Sequence, residues 1–262
     1  MRPILFQLGP IAVRAYGTML VIAFLAAIAW AVREARLRRI PSERVYDLAF
    51  WILVSGVFFA RLIFVLLDLP YYTAHPADLI PSWRTGVGGL SFHGGFLGAI
   101  LAAALYARKA RLSFWTLADV CVPAAALGYA IARVGCFLNG CCYGRPTDLP
   151  WGLRFPLEGG LPGQLTPPSH PTQIYSVIGG LVIFFVLIRL RNRLPHPGQL
   201  FIAFVGLYGV ERFVVELWRS GATSAPLWGP ITLAQVVSLV AIAATPFFLR
   251  WRAARDHGAG HA

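Results

Sequence analysis

The chain has 262 residues, of which 57% are hydrophobic and only 13% are charged, and its mean hydropathy is +0.64. Because soluble globular domains carry charges on about a quarter of their residues, this composition excludes that class and indicates a membrane protein. The net charge of +12 would suggest nucleic-acid binding in a soluble protein. In a membrane protein it is expected from loop arginines that contact anionic lipid headgroups, so no nucleic-acid partner is expected.

Seven apolar stretches approach the roughly 20 residues that a helix needs to cross a bilayer. They cover residues 13–32, 46–67, 90–107, 117–138, 172–188, 199–217 and 231–249. The sequence therefore predicts an all-α, polytopic integral membrane protein of seven transmembrane helices in a single domain, residues 1–262. The first ten residues lack the apolar core and cleavage site of a signal peptide, so the first stretch is expected to stay in the membrane.

Arginine and lysine residues cluster after the first, third, fifth and seventh apolar stretches. Most of the 23 Lys and Arg residues lie in these clusters. Because positively charged loops stay in the cytoplasm, the amino terminus is expected outside and the carboxyl terminus in the cytoplasm. Residues 68–89 and 139–171 then form long outer loops, and residues 253–262 form a flexible tail.

The sequence ARVGCFLNGCCYGRP, residues 132–146, leads from the fourth apolar stretch into the second outer loop. Arg133 can form a bidentate pair with phosphate, and it lies on the side where the positive-inside rule disfavours arginine. Asn139 can donate and accept hydrogen bonds, and Gly144 allows close backbone approach. The alternative is an arginine that extends to the membrane interface, followed by an ordinary turn.

Three of the four cysteines, Cys136, Cys141 and Cys142, lie in the same motif. None forms a CxxC pair, and no histidine stands beside them at zinc-ligand spacing, so we expect no metal site. A disulfide between Cys136 and Cys141 or Cys142 is one alternative if this segment faces an oxidising compartment. Small apolar packing is the other.

Three further features carry candidate residues near predicted helix starts. GGLSFHGG, residues 88–95, places His93 between glycines, where it can act as a general base or hold a headgroup oxygen. A histidine hydrogen-bonded within the packing is the alternative. Tyr16 follows Arg14 at the first stretch and can also be an interfacial anchor. HPTQIY, residues 170–175, is typical of a capped helix start.

Tyr208, Arg212, Glu216 and Arg219 are spaced by four, four and three residues, which puts them on one face of a predicted helix. Because charges are costly in lipid, this face is expected to point into the helix bundle, with Glu216 holding one arginine in place. A purely structural ladder of ion pairs is the alternative.

In combination these motifs resemble the prolipoprotein diacylglyceryl transferases of bacteria. The matching segments are RAYGTM, Arg61, GGLSFHGG, RVGCFLNGCCYGR, HPTQIY and YGVERFVVELWR, in the same order and at similar intervals. The resemblance implies transfer of the sn-1,2-diacylglyceryl group of phosphatidylglycerol to the lipobox cysteine of a preprolipoprotein, with release of glycerol phosphate. It also implies no metal or organic cofactor, and a multi-pass protein of the bacterial inner membrane whose site faces the outer leaflet.

By the same resemblance, Arg133 and Arg212 match two arginines held to be essential, and together with His93 they are the expected catalytic residues. The expected substrate-binding residues are Arg133, Arg212, Tyr16, Tyr208, Asn139, Gly144, Glu216 and Arg219.

The chain departs from the family pattern at Cys136, where better-known members have Asn, at Cys141, where they have Glu, and at Ser176, where Glu is common. Glu211 and Glu158 are the candidates to replace the missing carboxylate. The departure at Cys141 leaves open a paralogue with an altered substrate.

Two other classes of function also place charged residues in a membrane. A transporter or flippase for anionic lipid would contain membrane arginines, but such proteins often have internal repeats, and none is visible in this sequence. A non-catalytic scaffold would have no need of His93 and Arg133 at one outer site.

Overall fold

The computed structural model describes residues 1–8, 11–79, 89–157, 163–220, 226–228 and 231–259. The helices in this part of the chain are α1 (Ala15–Leu37), α2 (Ser42–Leu67), α3 (Leu69–Ala74), α4 (Phe92–Ala110), α5 (Phe114–Asn139), α6 (Thr172–Leu190), α7 (Gln199–Glu216) and α8 (Leu233–Ala259). The strands are β1 (Ile4–Leu8), β2 (Ile11–Arg14), β3 (Pro226–Trp228) and β4 (Ile231–Thr232). A 3-10 turn, Pro76–Leu79, follows α3.

Five helices within the described residues are long and apolar enough to cross a bilayer, namely α1, α2, α5, α6 and α8. The prediction of a mostly helical membrane protein is therefore confirmed. The apolar side chains of α2 stay largely exposed, as expected of a helix in contact with lipid, since only 11% of its most apolar 18-residue window is buried. Charged residues lower the hydropathy of the other two long helices: Arg108 and Lys109 end α4, and Glu211, Arg212 and Glu216 lie on α7.

The described residues form two compact units, the first of which consists of Met1–Ala31 and Ala118–Ala262. Its core lies between α5, α6 and α7 and contains the buried residues Val122, Ala126, Ile183, Phe184, Leu187, Leu200 and Ala203. The rings of Trp30 and Phe184 meet edge-on beside this core, with their centroids 4.7 Å apart. Aliphatic and aromatic side chains thus hold α5, α6 and α7 together.

A buried carboxylate fixes the start of α7 in this unit. Asp119 on α5 is 1% exposed, and its oxygens accept hydrogen bonds from the N–H groups of Gly198 at 2.7 Å and Phe201 at 2.8 Å. The first N–H groups of a helix have no partner within it and carry partial positive charge, so a carboxylate stabilises the helix start. Asp119 therefore sets the position of α7, which carries Arg212, relative to α5, which carries Arg133.

The second unit consists of Val32–Leu117. Its two long helices, α2 and α4, pack closely because glycines of α4 face α2. A Cβ at Gly98 would lie 2.9 Å from the Cβ of Phe59, and one at Gly94 would collide with the backbone of the same residue. Larger residues at these positions would push the two helices apart.

Arg61 on α2, one of the residues that carry the resemblance described above, binds backbone carbonyls at Asp78, Leu79 and Gly89. Its guanidinium donates hydrogen bonds to the carbonyls of Leu79 and Gly89, each at 3.1 Å, and to that of Asp78. Because guanidinium nitrogens can only donate, backbone carbonyls without a helical partner suit them well. Arg61 therefore links the 3-10 turn to Gly89 within its own unit.

Short antiparallel strand pairs precede α1 and α8, which the all-α prediction did not include. β1 pairs with β2, with Gln7 opposite Ala12, and β3 pairs with β4, with Pro226 opposite Thr232. Apolar runs this short do not distinguish a strand from the start of a helix by their periodicity, which is why the sequence prediction was wrong there.

Some predicted features lie at or beyond the limits of the described residues. The tail expected from residue 253 is helical as far as Ala259, because α8 continues to that residue. Residues 260–262, Gly88 of the GGLSFHGG motif and Glu158 lie outside the described part of the chain. Within the expected loop 68–89, the structure describes α3, the 3-10 turn and Gly89.

Candidate active site

Arg133 lies in the last two turns of α5 and is half-buried. Its guanidinium carbon is 4.9 Å from the centre of the Tyr129 ring, one turn earlier on the same helix. A guanidinium over an aromatic face is attracted by the electrons of the ring. This contact holds the Arg133 side chain against its own helix, and its role in binding stays a prediction.

The hydroxyl of Tyr129 connects α5 to α7. It donates to the carboxylate of Glu211, at 3.1 Å from Oε1 and 3.2 Å from Oε2. Glu211 is 8% exposed and also shares a hydrogen bond with Ser176 on α6. α6 can approach because residue 179 is glycine: a Cβ on Gly179 would meet the Glu211 side chain at 2.5 Å. Glu211, one of the two acids named from the sequence, therefore joins three helices beside Arg133.

Tyr208, Arg212 and Glu216 lie on α7 at four-residue intervals, as predicted. Arg212 forms an ion pair with Glu216, whose side chain is buried. The helix ends at Glu216, so the prediction that Arg219 shares the same helix face was wrong. Arg219 instead lies after the helix and forms a backbone bridge with Gly144. Its buried Nε has no hydrogen-bond partner among the described residues.

Three arginines lie close enough to Tyr208 for their charges to act on its phenol. The negative charge of Glu211 and the positive charges of Arg133, Arg212 and Arg219 all act on it. Its ring lies edge-on to that of Tyr129, with the centroids 5.5 Å apart. Three elements, α5, α7 and the turn after α7, therefore bring positive charge to one place in the first unit.

The turn after α5 is held by the first turn of α6. Gln173 Nε2 donates to the carbonyl of Cys141 and Thr172 Oγ1 to the carbonyl of Cys142, both at 2.7 Å. The prediction that HPTQIY opens a helix is confirmed, since α6 begins at Thr172, but the predicted cap was wrong, because the N-cap is Pro171 and no side chain caps it. The two side chains bind the turn instead, since its backbone carbonyls need partners that a helix would otherwise supply.

Gly144 brings this turn against the residues after α7. Its N–H donates to the carbonyl of His170 at 2.9 Å, and the N–H of Arg145 donates to the carbonyl of Trp218 at 2.7 Å. A Cβ at position 144 would lie 2.8 Å from Thr172 and 2.9 Å from His170. The predicted close backbone approach is confirmed, and a direct contact of Gly144 with substrate stays a prediction.

Three thiols gather at the same turn, and we call Cys136, Cys141 and Cys142 the thiol cluster. Their sulfur atoms all lie within 4.8 Å of one another, and those of Cys141 and Cys142 are 3.7 Å apart. All are free cysteines, so the disulfide considered from the sequence is not formed. Hydrogen bonds from the other two thiols, with the charges of Arg219 and Arg133, hold the pKa of the Cys142 thiol well below its usual range.

Tyr16 and Asn139 border the thiol cluster. Tyr16, in the first turn of α1, packs on Gly135 of α5, where a Cβ would lie 3.4 Å from its ring. The thiols of the cluster and the charge of Arg133 all act on its phenol, which is 40% exposed on a residue basis. Asn139 ends α5 and forms a side-chain hydrogen bond with Cys141.

His93 lies in the first turn of α4, in the second unit, and its side chain is exposed. The helix start beside it is capped by Ser91, whose hydroxyl accepts a hydrogen bond from the N–H of Gly94 at 3.4 Å. The catalytic role of His93 stays a prediction. The other predicted site residues all belong to the first unit: Tyr16, Arg133, Asn139, Gly144, Tyr208, Arg212, Glu216 and Arg219.

Sequence reasoning missed Tyr129, and it missed what Thr172 and Gln173 of the HPTQIY motif bind. Tyr129 had a detectable signal, because it stands four residues before Arg133 and residues at that interval are neighbours on a helix. The partners of Thr172 and Gln173 had no signal, since they are backbone groups about thirty residues earlier in the chain.

Comparison with known proteins gives one consistent result. A family model described as prolipoprotein diacylglyceryl transferase matches residues 3–251. The phosphatidylglycerol–prolipoprotein diacylglyceryl transferase of Geobacter sulfurreducens is 40% identical over 242 residues, which cover 90% of this chain and 89% of that protein. Proteins of the same name from Thermosynechococcus vestitus and a Nostoc species are 38% and 36% identical, covering 90% and 95% of this chain and 87% and 88% of their own lengths. Since the matched region runs from the first strand into α8 and contains every residue of the site described above, the chain belongs to the prolipoprotein diacylglyceryl transferase family.

Proposed function

We propose that the protein transfers the sn-1,2-diacylglyceryl group of phosphatidylglycerol to the cysteine thiol of a prolipoprotein, the first step of lipoprotein maturation. The sulfur forms a bond to the terminal glyceryl carbon, and the bond between that carbon and the phosphate oxygen breaks. Glycerol phosphate leaves with the electron pair, and the thiol loses its proton. The relatives' names describe this donor and this acceptor.

The observation that carries the proposal is that three guanidinium groups lie near Tyr208, accompanied by only two buried carboxylates. Arg133, Arg212 and Arg219 all act on this phenol. The buried carboxylates of Glu211 and Glu216 accompany these three guanidiniums, so the group retains a positive charge. An uncompensated charge is costly in a membrane protein and marks a functional site. A phosphate anion would neutralise it and accept the hydrogen bonds of several guanidinium groups.

The chemistry of the transfer fits this charge distribution. Negative charge grows on the leaving phosphate as the carbon–oxygen bond breaks, and fixed guanidiniums in a water-poor site stabilise it without having to reorganise. We assign the phosphate to Arg133 and Arg212, with Arg219 as a third donor. Losing one of the gripping arginines should cost about 3 kcal/mol of transition-state stabilisation.

The other site residues act around this phosphate. Tyr16 and Tyr208 orient headgroup oxygens, and Asn139 orders the turn next to the acceptor thiol. Glu216 keeps Arg212 in position. His93 is the predicted acceptor of the thiol proton, because imidazole is the side chain that titrates closest to neutral pH.

The membrane arrangement is also part of the proposal. We propose that α4 and α7 complete a set of seven transmembrane helices with the amino terminus outside and the carboxyl terminus in the cytoplasm. Arg36, Arg189 and the Arg108–Lys109 pair lie in the last turns of α1, α6 and α4, as the positive-inside rule requires. The acids of α7 are buried, so this helix can cross a bilayer without exposing them to lipid. The site then faces the outer leaflet of the bacterial inner membrane.

The test uses the purified full chain in detergent with phosphatidylglycerol and a synthetic lipobox peptide. Mass spectrometry should find the peptide heavier by one diacylglyceryl group, attached at cysteine. Arg133→Gln should reduce the rate by about a hundredfold, which corresponds to the loss of about 3 kcal/mol. Arg154→Gln removes an exposed loop arginine and is the matched control, with the wild-type rate expected.

Three outcomes count against the proposal. Full activity of Arg133→Gln contradicts the role of the arginine, and unmodified peptide with every donor lipid contradicts the transferase. Movement of fluorescent phosphatidylglycerol across vesicle membranes, without peptide modification, would identify a flippase.

A further inference from the structure

A cavity of about 680 Å³ lies between α2 and α4, within the second unit. Its volume falls in the range of about 300–1,000 Å³ that is usual for ligand sites in proteins. The residues that line it include no member of the candidate active site. The transfer described above therefore gives this cavity no role.

Two hydrogen bonds between the helices lie along the cavity. Ser55 Oγ on α2 donates to the carbonyl of Gly98 on α4 at 2.8 Å. The hydroxyl of Tyr106 on α4 donates to a carboxylate oxygen of Asp47 on α2 at 3.3 Å. Gly98 and Tyr106 are about 12 Å apart along the helix. The helices are thus joined at both ends of this stretch, and the cavity between them does not depend on a ligand to form.

The walls of the cavity are almost entirely apolar. Trp51 and Phe58 on α2 and Leu101 and Leu105 on α4 line it and are exposed. Ala104, which also lines it, has a small side chain that leaves room between these larger ones. An exposed apolar surface of this size marks a binding or membrane-contact site. In a membrane protein such walls suit an acyl chain.

The end of the cavity nearest the end of α4 is basic. Arg108 and Lys109, in the last turn of that helix, complete the lining. Both side chains are exposed, and neither forms an ion pair with another described residue. Arg44 on α2 lies beside the same cavity, since it forms a side-chain hydrogen bond with Tyr106. These three cations outnumber the carboxylate of Asp47, so this end attracts an anion.

Apolar walls with a basic end match an anionic phospholipid. The lining of α4 runs from Leu101 to Lys109, about 12 Å along the helix, and the hydrocarbon depth of one leaflet is about 15 Å. The basic end is expected at the cytoplasmic surface, where anionic lipids give the leaflet a negative potential. The apolar segment of a precursor fits less well, because signal sequences begin with positive charges that this end would repel.

We propose that the cavity between α2 and α4 binds an anionic phospholipid of the cytoplasmic leaflet, with an acyl chain along Leu105 and the phosphate at Arg108 and Lys109. The inference rests on the proposed membrane arrangement and not on the transfer reaction. The bound lipid is not the diacylglyceryl donor, because the donor is taken from the outer leaflet. By occupying the folded state alone, it stabilises the pairing of the two helices.

The test uses the full chain in phosphatidylcholine nanodiscs that contain a small fraction of phosphatidylglycerol with a photoactivatable diazirine on one acyl chain. After irradiation, peptide mapping should find label on residues 51–59 and 101–109. Unlabelled phosphatidylglycerol should displace this label. A phosphatidylcholine probe with the same diazirine should label these residues far less. Label on the first unit reports the donor site and is counted separately, since different peptides carry it.

Charge variants test the basic end. The double substitution Arg108→Gln and Lys109→Gln should raise the phosphatidylglycerol fraction needed for half-maximal labelling about twenty-five-fold. Each basic residue near a membrane surface strengthens the binding of an anionic lipid by about fivefold. Arg189→Gln with Arg193→Gln removes two exposed basic residues at the end of α6 and just after it. This pair is the matched control, and the wild-type fraction is expected.

A filling variant tests the apolar walls. Ala104→Phe keeps the charges and occupies the cavity, so it should abolish the label on residues 51–59 and 101–109. Unchanged labelling of this variant, or an unchanged half-maximal fraction for the charge variant, overturns the site if the protein unfolds at the wild-type temperature. If a variant does not fold, the two lipid probes decide on the wild-type chain: equal labelling by both means unselective lipid contact and overturns the site.

Two further outcomes separate this inference from its alternatives. Displacement of the label by a synthetic signal segment, but not by unlabelled phosphatidylglycerol, identifies the precursor as the occupant and overturns the lipid site. Selective labelling of the cavity in a protein that transfers no diacylglyceryl under any condition removes the proposed function and leaves the lipid site. Transfer by a protein whose cavity takes no label does the reverse.

Discussion

Replacing Tyr129 by phenylalanine is the most informative change at this site, because it removes one hydroxyl and leaves the ring. The Tyr129 hydroxyl donates to both oxygens of the Glu211 carboxylate, at 3.1 and 3.2 Å. The ring that remains still faces the Arg133 guanidinium, which is 4.9 Å from its centre. The hydroxyl also forms a side-chain hydrogen bond with Arg133, so the substitution tests whether this hydroxyl positions the arginines, directly and through α7, without deleting an arginine.

The size of the effect follows from the type of hydrogen bond. A hydrogen bond to a charged acceptor contributes about 1.5–3 kcal/mol, and an acceptor left buried without its donor loses that contribution. Glu211 is only 8% exposed, so water replaces the lost donor poorly. Since each 1.36 kcal/mol changes a rate about tenfold, Tyr129→Phe should lower kcat by about tenfold to a hundredfold. KM for phosphatidylglycerol should change less, because the guanidiniums that bind phosphate are still present.

The assay is the mass-spectrometric transfer of diacylglyceryl to a lipobox peptide over a range of lipid concentrations. Tyr129→Leu, which also removes the ring under Arg133, should lower the rate further and raise KM. Tyr46→Phe removes the hydroxyl of an exposed tyrosine on α2 and serves as the control. Wild-type kcat for Tyr129→Phe, in a protein that unfolds at the wild-type temperature, would refute the argument that Glu211 positions the site through this hydroxyl.

Three other changes test separate parts of the structure. Glu216→Gln leaves the charge of Arg212 without its buried partner and should destabilise the fold by about 3–5 kcal/mol, seen as a lower unfolding midpoint in detergent. Gly144→Ala should lower the free energy of unfolding by about 1–3 kcal/mol through overpacking, which calorimetry measures. It should also slow transfer in the peptide assay, because it displaces the backbone bridge between residue 144 and Arg219. The depressed pKa of Cys142 favours its ionised form as pH falls below the usual cysteine range, so labelling of Cys142 by iodoacetamide should persist to a lower pH than that of a free cysteine, as peptide mapping would detect. By the same linkage, ionised Cys142 stabilises the fold above the pKa of an unfolded cysteine, and that contribution is lost as pH falls through its folded pKa.

The sequence was sufficient for features that depend on local spacing. The intervals between Tyr208, Arg212 and Glu216 predicted a shared helix face because a helix repeats every 3.6 residues, and the structure has that face on α7. Composition was likewise sufficient for a membrane protein, since five described helices are long and apolar enough to cross a bilayer. The position of Arg219 was beyond this reasoning, because the periodicity did not reveal where α7 ends.

Features that depend on contacts between distant parts of the chain could not be predicted in the same way. The turn that carries Cys141 and Cys142 is attached to the start of α6 by hydrogen bonds from Gln173 and Thr172, residues about thirty positions later in the chain. Spacing rules consider neighbours in sequence, and the CxxxxCC spacing of the thiol cluster fits none of them. The same limit explains why the helix-capping interpretation of HPTQIY was wrong: side chains in a first turn can serve another segment as well as their own helix.

The arrangement also explains how a membrane protein can keep three arginines at one place. Arg133 lies over an aromatic ring, Arg212 is paired with a buried acid, and Arg219 is attached through its backbone to Gly144. Each guanidinium is thus restrained by a different kind of contact, and together these contacts offset only part of the charge. Full neutralisation would leave no attraction for a phosphate, and no neutralisation would make the site too costly to fold in a low-dielectric interior. The acids of this set offset only part of the charge, and the buried Nε of Arg219 has no hydrogen-bond partner among the described residues, so the site stabilises the fold and still favours an anion as its last partner.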